Sequence, residues 1–143
     1  MVDVAAKPVT VRTATAAGVV ILSTAAVTAL RAGPVAKGDA LAVARIAGIQ
    51  AAKRTSDLVP LAHVVGVHGV DVEVEVVEQG VRIAATVRSA DRTGVEMEAL
   101  TSVAVAALTI IDMVKAIDRT ARITDVRVVA KSGGRSADWA ESE

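Results

Sequence analysis

Residues 70–88, VDVEVEVVEQGVRIAATVR, decide the fold. Val70, Val72, Val74 and Val76 alternate with Asp71, Glu73 and Glu75, so an extended chain here has one apolar and one charged face. That period of two predicts a strand. Glu78, Gln79 and Gly80 read as a hairpin turn into VRIAATVR, which keeps the same period and forms the antiparallel partner.

Helical patterns flank the hairpin on both sides. Upstream, Asp39 is placed to cap a helix over Ala40–Asp57, with Leu41, Ala44, Ile46, Ile49 and Ala52 at helical spacing and Pro60 as the stop. Downstream, Gly94–Asp118, GVEMEALTSVAVAALTIIDMVKAID, reads as a Gly-led apolar helix with polar residues near both ends. Further out, Thr10–Leu22 is rich in Val, Thr and Ile and predicts a strand bent at Gly18, and Ile123–Ala130 predicts another. Ser23 is a plausible cap for a short extra helix ending at Arg31 before Gly33 and Pro34. Without that short helix the order is βαββαβ, an α+β arrangement of the ferredoxin-like kind: one antiparallel sheet with helices packed on one face. The bare face of such a sheet favours an oligomer. The chain reads as a single domain over residues 1–143, with an irregular arm at 1–8 and a flexible tail at 132–143.

Composition narrows the function. Lys plus Arg and Asp plus Glu balance at 16 each in 143 residues, so no net field draws the molecule to nucleic acid or to an anionic membrane. The absence of Cys excludes disulfides, thiolate zinc sites and a Cys nucleophile, and two His, His63 and His68, make a poor metal set. The uncharged span Thr13–Leu30 is diluted by hydroxyl residues and preceded by Asp3 rather than by basic residues. The expectation is a soluble cytoplasmic protein without metal or cofactor.

Several polar residues admit two readings. Asp112 and Lys115, three apart on a helix, form either a surface ion pair or a lysine held by a carboxylate for proton transfer. Glu96 and Glu98 fit the favourable end of a helix dipole, and on that helix they diverge by about 160°, so at most one faces a given ligand. Glu98 and Asp112 lie on one face yet roughly 21 Å apart along the axis, too far for one compact pair. Lys37 precedes a helix N-terminus and reads as a phosphate contact or a solvated loop lysine. His63 lies in an irregular stretch and is either structural or functional. KSGGRS, residues 131–136, sets Lys131 beside a Gly pair, a weak phosphate cradle that lacks the spacing of a P-loop.

Taken in order, MVDV, AKGDALAVARIAGIQAAKRT, DLVPLAH, RTGVEMEALTSVAVAALTIIDMVKA and KSGGRS resemble the cyclic pyranopterin monophosphate synthase family of molybdenum cofactor biosynthesis. The resemblance implies a lyase that rearranges 3′,8-cyclo-7,8-dihydroguanosine 5′-triphosphate to cyclic pyranopterin monophosphate and releases pyrophosphate. It implies a hexamer of three dimers with active sites at subunit contacts. It assigns Asp112 and Lys115 to catalysis, and Leu61, Ala62, His63, Met97, Glu98, Glu96, Lys37 and Lys131 to substrate. Ala62, Val64 and Val114 stand where the family commonly has Cys, Pro and Cys, so thiols there are not needed if this chain is active. The competing readings are a non-enzymatic ferredoxin-like nucleotide-binding module and a purely structural oligomer.

Overall fold

The computed structural model describes residues 1–135 and 137–142. Its strands are β1 (Thr10–Ile21), β2 (Val67–Val77), β3 (Gly80–Asp91), β4 (Arg122–Ser132) and β5 (Trp139–Ala140). Its helices are α1 (Thr24–Ala32), α2 (Ala40–Ala52), α3 (Thr55–Leu58) and α4 (Glu96–Val114). One sheet, ordered β2-β3-β1-β4-β5, contains only antiparallel pairs. β3 separates β1 from β2, the split βαβ arrangement expected from the sequence.

The hairpin closes as its period requires. Val77 pairs with Gly80, and Val72, Val74, Ile83, Ala85 and Val87 turn into the core. The chain reverses at Glu78 and Gln79, whose Gln79 carbonyl accepts the Leu22 N–H at 3.0 Å. Gly80 has φ +151°, and a Cβ there would overlap the Val20 carbonyl oxygen of β1. No other residue fits so close to the neighbouring backbone.

α2 and α4 pack on each other and on the sheet, with α4 lying across β1, β3 and β4. Contact is close because the facing side chains are short. Ala14, Ala16, Ala85, Ala99, Ala106 and Ala107 are essentially unexposed, and Ile83, Val103 and Ile110 fill the space between them. A Cβ on Gly18 would stand 2.8 Å from Val103 Cγ1, and one on Gly48 of α2 would stand 3.1 Å from the Ser102 carbonyl of α4. α4 is long and apolar enough to cross a membrane, but half of its apolar window is buried within the protein, which accounts for that composition. The opposite sheet face is polar at its flanks, where Arg88 pairs with Asp71 at 2.6 Å and Arg127 with Glu141 at 2.7 Å.

Three boundaries differ from the sequence reading. The helix expected over Ala40–Asp57 ends at Ala52, and a separate turn, α3, follows. Thr55, buried, donates its hydroxyl to the Ala52 carbonyl at 3.1 Å, so a side chain satisfies the helix end and the chain turns there. The long helix runs over Glu96–Val114 rather than to Asp118. The Asp118 carboxylate instead accepts the Ser23 N–H at 2.6 Å and the N–H and hydroxyl of Thr120 at 2.8 and 2.7 Å, joining the end of α4 to the start of α1. The stretch after Ser132, expected as a tail, carries β5 on the edge of β4. Ser136 of the KSGGRS motif lies outside the described residues. The caps at Ser23 and Asp39 form as expected, accepting the N–H of Ala26 at 3.3 Å and of Ala42 at 3.0 Å.

Two measurements test this account. Gly80→Ala should lose about 2–4 kcal/mol in chemical unfolding compared at equal protein concentration, and a loss within error would refute the close approach to β1. Asp118 is held from its ordinary 3.8 down to about 2, first by the Ser23 N–H and then by Thr120. Its folded pKa lies below its unfolded one, so its contribution is complete above about pH 4 and is lost as the pH falls towards 2. Asp118→Asn should be less stable than the parent at about pH 5, and the gap should narrow at about pH 3. A gap that stays constant over that window would count against the assignment.

Candidate active site

α4 presents polar groups at both ends, and each end has gathered partners from elsewhere in the chain. At its C-terminal end Asp112 lies between two ammonium groups, Lys115 Nζ at 2.7 Å and Lys37 Nζ at 2.6 Å. Lys115 reaches it from the next turn of the same helix end. Lys37 arrives from a tight turn in which Val35 and Gly38 exchange backbone hydrogen bonds at 3.0 and 2.8 Å. The three side chains are about half exposed. Hydrogen bonds from Lys115 and then Lys37 hold the Asp112 carboxyl down to about 2, and the same bond raises Lys115. The cluster thus sets one lysine Nζ on each oxygen of a carboxylate whose charged form both of them stabilise.

At the other end, α4 starts without a side-chain cap, leaving first-turn N–H groups and the dipole unneutralised by a capping residue. Three cavities meet there, sharing Thr93. One of about 160 Å³ is lined by Lys7, Arg12, Arg92 and Lys131, with Glu96 as its carboxylate. Lys131 Nζ donates to Glu96 Oε1 at 3.3 Å. Arg12 donates through Nε to the Asp91 carbonyl at 3.0 Å, which anchors the guanidinium at the cavity wall. Four cationic residues and one carboxylate give this cavity a net positive lining.

The second cavity, about 190 Å³, is lined by Leu61, Ala62, His63, Val65, Met97 and Glu98 with Thr93 and Gly94. Glu98 is 4% exposed. Burial pushes its carboxyl up, its own backbone hydrogen bond opposes this, and the charges of Glu96 and Asp91 add to the rise. The loop carrying His63 is held to β3 by Gly66, whose N–H donates to Asp91 Oδ2 at 3.3 Å and whose carbonyl accepts the Ser89 hydroxyl at 2.7 Å. The third cavity, about 280 Å³, lies between His63 and the arm residues Met1–Ala5. His63 Nε2 is 2.6 Å from the Val2 carbonyl oxygen. Lys131 also lines a fourth, open cavity of about 380 Å³ between β1 and β5, walled by Trp139.

The residues singled out from sequence thus fall into two groups. Leu61, Ala62, His63, Met97 and Glu98 share one cavity, and Glu96 with Lys131 lines the adjoining one, so the two glutamates diverge as their spacing requires. Lys37 joins Asp112 and Lys115 and not Lys131. From Glu96 to Asp112 the helix rises roughly 24 Å, which keeps the groups apart within one chain. Lys7 and Arg92 were not anticipated from the sequence. For Arg92 the signal was available, a cation just ahead of the Gly that opens a helix, whereas Lys7 is brought in only by the path of the arm. Among the described residues no three His, Asp or Glu side chains cluster as a metal would require.

Residues 1–134 match the MoaC family. The cyclic pyranopterin monophosphate synthase of Streptomyces avermitilis is 61% identical over 142 residues, covering 99% of this chain and 84% of that protein. That of Streptomyces griseus is 62% identical over 139 residues, covering 97% and 78%. Cyclic pyranopterin monophosphate synthase 2 of Mycobacterium tuberculosis is 57% identical over 139 residues, covering 97% and 83%. With a match of this extent and the polar groups of its motifs gathered at the two ends of one helix, the chain belongs to the MoaC family.

Proposed function

We propose that this protein is a cyclic pyranopterin monophosphate synthase, converting 3′,8-cyclo-7,8-dihydroguanosine 5′-triphosphate to cyclic pyranopterin monophosphate and pyrophosphate. The observation that carries the reading is identity near 60% over almost the whole chain to proteins of that name. The chemistry of the two polar clusters supports it.

Each part of the reaction has a counterpart in the chain. Closing the cyclic phosphate brings a sugar oxygen onto the α-phosphorus as pyrophosphate leaves, and negative charge builds on the leaving oxygens. The cavity of Arg12, Arg92, Lys7 and Lys131 offers the cations that stabilise such charge. The ring system is assigned to the cavity of Leu61, Ala62, His63 and Met97, where apolar walls hold a flat heterocycle and Glu98 meets its polar edge. Rebuilding an imidazole into a pterin moves several protons. Lys115 is assigned the proton transfers, with Asp112 as the carboxylate that positions its ammonium, and Lys37 completes the set.

Within one chain these groups lie too far apart to act on one substrate. The reading therefore includes an assembly, a hexamer of three dimers, in which the Asp112 end of one α4 completes the Glu98 end of another. Exposed Val43, Ile46, Leu58, Leu61, Met97 and Leu108 on the helices and the loop beside them favour such contacts, since monomers rarely leave so many large apolar side chains in water. A cytoplasmic location accompanies a substrate made from GTP. The non-enzymatic nucleotide-binding alternative predicts that binding survives loss of Asp112 and Lys115 and that no product ever forms.

The deciding assay incubates the protein with the cyclised triphosphate and follows the pterin and pyrophosphate. Asp112→Asn and Lys115→Ala should each lower kcat by about 10²–10⁴ fold with substrate still bound. Lys131→Ala should chiefly weaken binding, by about tenfold or more. An inactive parent would refute the activity, and unaltered rates in the variants would refute the site. Glu98→Gln should likewise lower kcat, and mixing it with Lys115→Ala after dissociation and reassembly should restore about a quarter of parental activity, through sites that take each intact group from a different chain. No recovery on mixing would remove the shared site.

A further inference from the structure

Apart from Lys7, the 1–8 arm takes no part in the reaction scheme above. It is a shaped segment: the Ala5 N–H donates to Asp3 Oδ1 at 2.8 Å, the Lys7 N–H to the Val4 carbonyl at 3.0 Å, and Arg92 Nε to the Lys7 carbonyl at 3.1 Å. These bonds lay Val2 against His63, with 2.6 Å between the Val2 carbonyl oxygen and His63 Nε2. A carbonyl oxygen has no hydrogen to give, so the hydrogen of this bond belongs to Nε2. In a neutral imidazole the other nitrogen, Nδ1, then carries the lone pair. Nδ1 of His63 makes no hydrogen bond among the described residues, and His63 lines both the arm cavity and the Glu98 cavity.

We propose that the main-chain carbonyl of Val2 is a positioning group for the reaction: by accepting the Nε2 hydrogen of His63 it holds the neutral ring in one tautomer and reserves Nδ1 to accept an N–H or O–H of bound substrate. The bond acts through a backbone atom, so the identity of the side chain at position 2 is immaterial. An unrestrained imidazole would divide its time between two tautomers and two orientations of its acceptor. The docked arm removes that choice before substrate arrives. The role rests on the assignment of His63 to the substrate cavity, whereas the tautomer itself does not depend on which substrate is bound.

The test reads the ring directly. In two-bond proton–nitrogen spectra of the full ¹⁵N-labelled chain at about pH 8, where imidazole is neutral, His63 should give the pattern of a single Nε2–H tautomer. His68 is a control within the same spectrum, because its Nδ1 accepts the Ala90 N–H at 3.3 Å and it should show the same tautomer independently of the arm. His63→Gln assigns the signals by deleting one set. Removing residues 1–3 should shift the His63 pattern to a tautomer mixture, leave His68 unchanged, and lower kcat about tenfold with KM within about twofold. Asp3→Ala, which frees the arm's first turn without shortening it, should move the same readouts partway and covers the case in which the shortened chain fails to fold. A Nδ1–H pattern for His63 in the full chain overturns the proposal, as does a pattern or a kcat that the arm variants leave unchanged. If the full chain makes no product, the synthase reading fails, and the spectra still decide whether Val2 sets the ring.

Discussion

The polar groups at the two ends of α4 are placed by how closely that helix lies against its neighbours. The missing side chain at Gly18 admits Val103, the missing side chain at Gly48 admits the backbone at Ser102, and alanines fill most of the remaining contact. Short side chains leave few rotamers by which a helix could roll or slide, so the axis of α4 is fixed against both the sheet and α2. This closeness has a cost at Ser102, whose hydroxyl is buried without a partner among the described residues. Once the axis is fixed, the directions of Glu96, Glu98 and Asp112 follow from helical geometry alone.

The same helix then presents two carboxylates in opposite electrostatic states. Glu98 is buried near other acids at the positive end of the dipole, and loss of water dominates, so its proton is held more tightly than usual. Asp112 stands in solvent between two ammonium groups and releases its proton far more readily than usual. The dipole acts the other way at both positions, favouring the charged form of Glu98 and disfavouring that of Asp112. Burial and direct ammonium contacts outweigh it. Two groups of one chemical type thereby differ in how tightly they hold a proton, through their surroundings alone.

Much of this could be read before any coordinates. The strict alternation in β2, the Gly turn and the two helical stripes suffice for the order of elements, and that order admits few sheet topologies. The end of α2 escaped because Thr55 acts through a side-chain bond to a carbonyl, and nothing in the apolar spacing records it. Asp118 escaped for a related reason, since its partner Ser23 is remote in sequence and local patterning is blind to such a contact. In the site, Asp112 and Lys115 were visible because they are neighbours on one helix. The pairing of Lys37 with Asp112 was not, because it joins a loop to a helix end across the fold. The cationic cavity gathers residues from the arm, two strands and a loop, a convergence that the topology produces and no single motif announces.

The edge strand β5 adds one consequence of composition. The chain contains one Trp and neither Tyr nor Phe, so Trp139 is its only aromatic chromophore of the indole or phenol type. That ring walls the cavity between β1 and β5, which shares Lys131 with the cationic cavity. Intrinsic fluorescence from this protein is therefore a report from one address rather than an average over a core. Its colour and quenching follow the polarity beside Lys131, and the aliphatic interior around α4 stays optically silent.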